Sequence, residues 1–386
     1  MKRICILSFS PIAWDGRVLR EIEYARREFS VDVIGYGDWS PPQGVRYFQL
    51  PKTKRSRAWL ARYATALVIG KLVPSTYDRL FWMKNEYVAA RQLLERGNYD
   101  LIHANDWDGL PVGSAAVRGS GTSLIWDAHE YSLAQGAESA LWRQFMAPYR
   151  EHLFRLYFPD VDQMINASVE YGRLYERKFG WDSLPILNVP DYQEIPFRAT
   201  DPNNIHIIHH GVAMPNRCIE EMIKAIALSD TRFHLDIMLV ATSHPAYYQQ
   251  LKAFAQERAY GRVTFHDAVQ PAQIVRKVAE FDLGLPLLKV LQVSHLNSQP
   301  NKFFEYIMAG LGIITPPYPG MMPIVQAHQN GIIAPDFTAQ SVAETLNSLT
   351  SAQIDAFKRS SLELAHTYNA DVELGKLMSL YHRLIA

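Results

Sequence analysis

The stretch "NSQPNKFFEYIMAGLGIITPPYPG", residues 297–320, holds one carboxylate, Glu305, inside an apolar run from Phe303 to Ala309. Pro300 suits the first turn of a helix, where its missing N–H costs nothing, and Asn297, Ser298 and Asn301 suit caps before or at that turn. A helix beginning near 299–301 puts Glu305 in its second turn, close to the positive end of the dipole and to unpaired backbone N–H groups. One reading is a carboxylate favoured near a helix start and nothing more. The other is a site, in which the helix points at an anionic ligand and Glu305 accepts hydrogen bonds from two adjacent hydroxyls. A nucleotide offers both, a diphosphate and a ribose diol.

The elements that must hold such a site are legible as apolar runs of strand length. "ICILSFS", "VDVIGYG", "DLIHAND", "SLIWDAHE", "QMINAS" and "PILNVP" recur through the first half, and they are continuous rather than alternating. Continuous runs suit strands buried on both faces, as in parallel sheets. Helical spacing at 17–28, 83–96 and 170–178 gives the order strand, helix, strand. After a polar, proline-containing stretch the pattern restarts with "IHIIHHG", "LDIMLVAT", "VTFHDAV", "FDLGLPLL", "GIITPPY" and "NGIIAP". The expectation is an α/β chain of two doubly wound, Rossmann-like domains, with a ligand in the cleft between them at the carboxyl ends of the strands. Residues 1–188 form the first domain, 189–204 a linker, 205–366 the second domain and 367–386 a final helix that packs back on the first.

Composition excludes several classes. The 386 residues hold 39 lysines and arginines against 39 aspartates and glutamates, which removes the whole-molecule argument for nucleic-acid binding. Cys5 and Cys218 alone offer neither a disulfide framework nor a cysteine-rich metal site, and a reducing cytoplasm fits best. The opening "MKRICILSFSPIAW" imitates a signal peptide but lacks a small-residue cleavage site, and no window approaches about 18 uninterrupted apolar residues.

"PNKFFEYIMAGLGIIT" followed by "NGIIAP" resembles the donor-site signature of retaining glycosyltransferases of family 4, which have the GT-B fold. That family has two glutamates eight positions apart, the first on the donor sugar and the second on the ribose. Glu305 matches the second, and Asn297 stands where the first would be. The family's diphosphate-binding glycine and distal cation fall on Gly211 and Arg217, but Val212 replaces the arginine expected after the glycine. Lys302 is the candidate replacement, joined by the N–H groups around Ser298, Pro300 and Asn301. In the first half "LIWDAHEYS" puts His129 where the family has a histidine beside the donor sugar, although a lone histidine is more often structural. "SPIAWDGRVLRE" resembles the family's phosphate loop, with Gly16 matching and Asp15 replacing its partner glycine. The resemblance covers most of the chain, strongly over 297–335 and weakly in the first domain.

The resemblance implies transfer of a sugar from a nucleoside-diphosphate sugar, UDP favoured, with retention, without metal or other cofactor, and with Arg217 and Lys302 holding the leaving diphosphate. "DWD" at 106–108 and "DVD" at 160–162 imitate the manganese-binding aspartate pairs of single-domain glycosyltransferases; so short a pattern matches by chance. Residues 52–79 carry seven lysines and arginines against one aspartate, mixed with Trp59, Leu60, Leu67 and Val68. They read as a solvated loop and helix, or as contact with an anionic membrane, and a carbohydrate or lipid-linked acceptor at the inner membrane face fits the second reading. A nucleotide-sugar epimerase and a non-catalytic sugar-nucleotide binder stay open. A dinucleotide-dependent dehydrogenase is disfavoured, because no G-x-G-x-x-G follows the first strand.

Overall fold

Ile4, Cys5, Ile6 and Leu7 are all buried, so the first strand is covered on both faces, and the same holds for Ile207, Ile208 and His209 where the pattern restarts. Strands of that kind pair in parallel and need crossovers, which the intervening helices supply. The computed structural model describes residues 1–241, 244–287 and 293–386; the expected strand runs 235–242 and 281–288 each end on a residue outside the described ones.

The first sheet contains β1 (Arg3–Pro11), β2 (Ser30–Tyr36), β3 (Val45–Gln49), β4 (Leu101–Asn105), β5 (Ser123–Asp127), β6 (Gln163–Asn166) and β7 (Leu184–Pro185), in the order β3-β2-β1-β4-β5-β6-β7. The second contains β8 (Ile205–Val212), β9 (Phe233–Val240), β10 (Val263–His266), β11 (Leu283–Gly284), β12 (Gly312–Thr315) and β13 (Gly331–Ile333), in the order β10-β9-β8-β11-β12-β13. Every recorded pairing is parallel. Both orders reverse direction beside their first strand, between β1 and β4 and between β8 and β11. The carboxyl ends at such reversals are where open α/β sheets bind ligands.

β3 is absent from the sequence reading. It is an edge strand paired only with β2, so just one side needs apolar cover, and Arg46 turns outward to bond Asp32 through its Nε at 2.7 Å.

The chain divides into a first unit, Met1–Ile186 with Leu374–Ala386, and a second, Leu187–Glu373. Residues expected as a linker are bound to the second unit: Thr200 N–H donates to Asp355 at 2.9 Å, and the Arg359 guanidinium lies 3.6 Å from the Phe197 ring centroid. Leu187, expected at the end of the first domain, opens the second unit, and its N–H donates to Glu373 at 2.9 Å. In the first unit the end of the helix Ala370–Leu384 is held by Tyr381, whose hydroxyl is 2.5 Å from His103 Nδ1, and by Ser123, which donates to the Leu384 carbonyl at 3.0 Å.

Candidate functional site

In the second unit, Gly211, the residue before the last of β8, has φ of 144°, a conformation that favours glycine. A Cβ there would lie 3.3 Å from Lys302 Nζ, so the bare backbone and the ammonium are neighbours. Lys302 opens the helix Asn301–Met308, whose Phe303, Phe304, Tyr306, Ile307 and Met308 are buried. Past its first two residues, Glu305 is the one position of that helix left partly open, which is why a carboxylate is tolerated among apolar neighbours. Tyr306 fits because β11 offers Gly284, where any Cβ would overlap its ring. The helix closes as a Schellman motif, Gly310 at φ 69° donating to Ile307 and Leu311 to Tyr306, each at 3.0 Å.

The helix start differs from the sequence reading. Pro300 is the N-cap residue itself rather than a first-turn residue, and no side chain caps the helix. The three residues expected as caps are engaged elsewhere. Asn297 ends the short helix Val293–Asn297 and donates through Nδ2 to Val293 at 2.8 Å; Ser298 donates to His295 at 3.0 Å; Asn301 Oδ1 accepts from Asn188 at 2.6 Å. Gly320 lets this segment pack closely, since a Cβ there would lie 2.8 Å from the Asn297 carbonyl.

Two consecutive histidines that the sequence reading passed over complete the site. His209 is fully buried and its Nδ1 lies 2.9 Å from the Leu285 carbonyl, which assigns the proton to Nδ1 and leaves Nε2 to accept from Lys302 at 3.4 Å. Burial, and then the Lys302 charge, hold His209 well below its usual range, so it stays neutral. Lys302 is pulled down to about 7 by burial and by the Arg217 charge, against the opposing pull of Glu305. Arg217 ends a short 3₁₀ turn, Pro215–Arg217, and is therefore close enough to be felt by the ammonium. His210 sits with Nε2 3.2 Å from Glu305 Oε2, out of line for a hydrogen bond, and its N–H donates to the Tyr306 hydroxyl at 3.3 Å. The strand end "HHG" ahead of a cation was the available signal. Gly211, Arg217, Lys302 and Glu305 are thus gathered at one sheet end, with two cations and one carboxylate able to meet a diphosphate and a diol.

In the first unit, Gly16 is the first residue of the helix Gly16–Ala25, and a Cβ there would meet only the Arg20 guanidinium, at an ordinary 3.9 Å. Asp15 caps this helix, accepting from Val18 N–H at 3.2 Å and from Ser10 at 2.6 Å, so a carboxylate of the chain already occupies the helix start. His129 has φ of 40° and Asp106 φ of 63°, left-handed conformations seldom adopted outside glycine. The His129 ring spans Asn105 Oδ1 at 2.8 Å from Nε2 and Asp106 Oδ1 at 3.4 Å from Nδ1, and its N–H donates to Asp127 at 3.2 Å.

Among the described residues, Glu21, Asp127 and His129 present ligand atoms within 4.8 Å of one another, a spacing a metal ion could use. Arg17 already serves that charge, with Nε 2.6 Å from Asp127 and 3.4 Å from Glu21. Burial and the Asp127 charge push Glu21 well above the carboxylate range, whereas at Asp127 burial is outweighed by Arg17 and the carboxyl is held low. The "DWD" carboxylates diverge. Asp106 faces His129, while Asp108 accepts from Tyr87 at 2.9 Å and is pushed up to about 6 by burial and Asp106. In "DVD", Asp160 accepts from Arg118 at 2.8 Å and Asp162 from the Leu124 N–H at 2.7 Å.

The whole chain superposes on solved structures of one architecture. A sucrose-phosphate synthase from Thermosynechococcus elongatus matches with TM-score 0.72 at 15% identity, covering 100% of this chain and 99% of that one. The fold is GT-B. HepE from Anabaena, solved with UDP and glucose, matches this GT-B chain with TM-score 0.69 at 16% identity, over 99% of this chain and 100% of that one. An α,α-trehalose 6-phosphate synthase from Burkholderia multivorans matches with TM-score 0.67 at 12% identity, over 99% and 96%. Residues 21–190 match the family model of the glycosyl transferase 4-like domain. No curated protein sequence matches significantly. Together these findings show the GT-B fold and a likeness of residues 21–190 to the glycosyl transferase 4-like domain.

Proposed function

We propose that the protein transfers a glycosyl group, with retention and without a metal ion, from a nucleoside-diphosphate sugar to a carbohydrate or lipid-linked acceptor. UDP is the favoured nucleotide, in keeping with the UDP present in the Anabaena HepE structure. One observation carries the reading: Lys302 Nζ beside the bare backbone of Gly211, one turn before Glu305 on the same helix. As the glycosidic bond breaks, negative charge grows on the departing diphosphate, and groups fixed in advance to meet it lower the barrier by several kcal/mol. Lys302 and Arg217 are the cations for that charge, the first-turn N–H groups of the helix add to them, and His209 aims the ammonium. Glu305 accepts from the two ribose hydroxyls, and Asn297 and His129 contact the donor sugar. The departing phosphate itself serves as the base for the acceptor hydroxyl, so no protein nucleophile is required.

Asn297 favours a second reading, a protein that binds a sugar nucleotide without transferring it, because an uncharged amide that bonds its own helix replaces the sugar-holding glutamate. Incubation with a panel of labelled nucleotide sugars, with and without oligosaccharide and lipid-linked acceptors, separates the outcomes. Transfer or donor hydrolysis supports the first reading, binding alone the second, and isomerised donor an epimerase. We place the reaction in the cytoplasm at the inner membrane face, consistent with Cys5 and Cys218 forming no disulfide; among the described residues no helix is long and apolar enough to cross a membrane.

A further inference from the structure

The helix Arg57–Gly70 is apolar on the face it packs, and, Arg57 and Arg62 apart, the face it does not pack is largely apolar too. Tyr63, Ala66 and Leu67 lie against the core of the first unit, Trp59 stacks on Tyr63 at 5.0 Å, and Gly70 is buried. Two rows spaced by four residues point outward: Leu60, Ala64, Val68 and Leu72, and beside them Ala61, Thr65, Ile69 and Val73. Leu60, Val68, Ile69, Leu72 and Val73 are 53, 54, 45, 86 and 50% exposed. The one polar member, Thr65, spends its hydroxyl on the Ala61 carbonyl at 3.0 Å. A contiguous exposed apolar patch of this kind marks a surface that something covers.

The charges that flank the patch in sequence indicate what. Residues 52–79 hold Lys52, Lys54, Arg55, Arg57, Arg62, Lys71 and Arg79 against Asp78, and of these cations Arg55 is neutralised by Glu86, outside that stretch, at 2.9 Å. A second copy of the chain would bring the same cations face to face, which costs binding energy instead of adding it. An anionic lipid surface offers opposite charge and apolar depth together. At 14 residues the helix is about 21 Å long, short of the roughly 30 Å hydrocarbon core, so its place is in the plane of the interface.

We propose that the outward face of Arg57–Gly70, with Leu72 and Val73, docks the protein on an anionic bilayer. It uses no residue of the nucleotide site, so either can fail without the other. The test is co-flotation of the full chain with phosphatidylcholine vesicles, with or without about a third phosphatidylglycerol. Binding to the anionic vesicles alone is expected, weakening as salt rises from about 0.1 to 0.5 M. Val68→Ser with Leu72→Ser should lower partitioning at least about tenfold. Arg57→Gln with Arg62→Gln and Lys71→Gln should lower it and flatten the salt dependence. These side chains are exposed, so circular dichroism, melting and UDP affinity should match the parent chain. Equal binding to both vesicle types, absence of binding, or anionic binding that the serine variant leaves intact would each overturn the proposal. So would a concentration-dependent dimer that the serine variant dissociates without any lipid binding.

Discussion

Lys302 is the residue whose charge state should report ligand binding most directly. Burial and Arg217 bring its ammonium down to about 7, with Glu305 opposing and the neutral His209 contributing no charge, so at pH 8 only about a tenth of the free protein carries that proton. A nucleoside diphosphate placed against Nζ adds negative charge beside it and raises the lysine again, so binding at pH 8 should take up about 0.9 proton. The linkage fixes the sign: affinity is greatest below pH 7 and is lost as pH rises, by about fivefold from pH 7 to pH 8. The terminal phosphate, with a pKa of about 6, is already ionised over that window and contributes little to the slope. Calorimetric titration of UDP in HEPES and in Tris, whose ionisation enthalpies differ, reads the proton number. Lys302→Met should abolish the uptake and weaken UDP by about 1.5 to 3 kcal/mol, the range of a hydrogen bond to a charged group. Identical enthalpies in the two buffers, with affinity flat from pH 7 to pH 8, would show that Lys302 does not meet the diphosphate.

Glu305→Ala should weaken nucleoside diphosphate binding by about 1.5 to 3 kcal/mol, and calorimetry giving unchanged affinity rules out the ribose contact. Gly211→Ala forces a side chain into φ of 144° and against Lys302; loss of about 1 to 3 kcal/mol in thermal stability or UDP affinity is expected, and a neutral substitution contradicts the packing. Transfer or donor hydrolysis should survive excess EDTA; activity that vanishes and returns with manganese would move attention to Asp106 and Asp108. Asn297→Ala should reduce turnover while sparing affinity for the bare diphosphate, whereas equal losses for sugar nucleotide and diphosphate, with lower melting temperature, would leave it only a structural role.

Both sheets are legible in the sequence because parallel strands are buried on two faces, so Ile4–Leu7 reads as an unbroken apolar run and Ile205–Ile208 as one interrupted only by His206. Edge strand β3 escapes that logic, since half of its side chains face solvent. Glu305 stands out for the same reason in reverse, as a lone carboxylate on an otherwise buried helix. Caps are harder. Asn297, Ser298 and Asn301 all have cap chemistry, and the choice among their partners is made by tertiary neighbours such as Asn188, more than a hundred residues away in sequence. His209 and His210 read as ordinary polar interruptions at a strand end; their roles depend on Leu285 and on the helix packed alongside. Asp15 is visible as a departure from a glycine, but that its carboxylate closes its own helix start follows only from the observed bond to Val18.

The Tyr381 hydroxyl meets His103 across 278 residues of chain. A ribosome therefore releases the first unit incomplete. Strands β1 to β7 emerge first, and the whole of Leu187–Glu373 must then be made before Leu374–Ala386 can fill its place. At roughly 5 to 20 residues per second that wait lasts about 10 to 40 s, during which His103 and its neighbours Glu21 and Asp127 stand open to water where the native protein keeps them dry. The second unit has no such gap and can fold as it appears. Chaperone dependence and arrest by a stop codon ahead of Leu374 should accordingly register as defects of the first unit, although the lesion lies beyond the whole of the second.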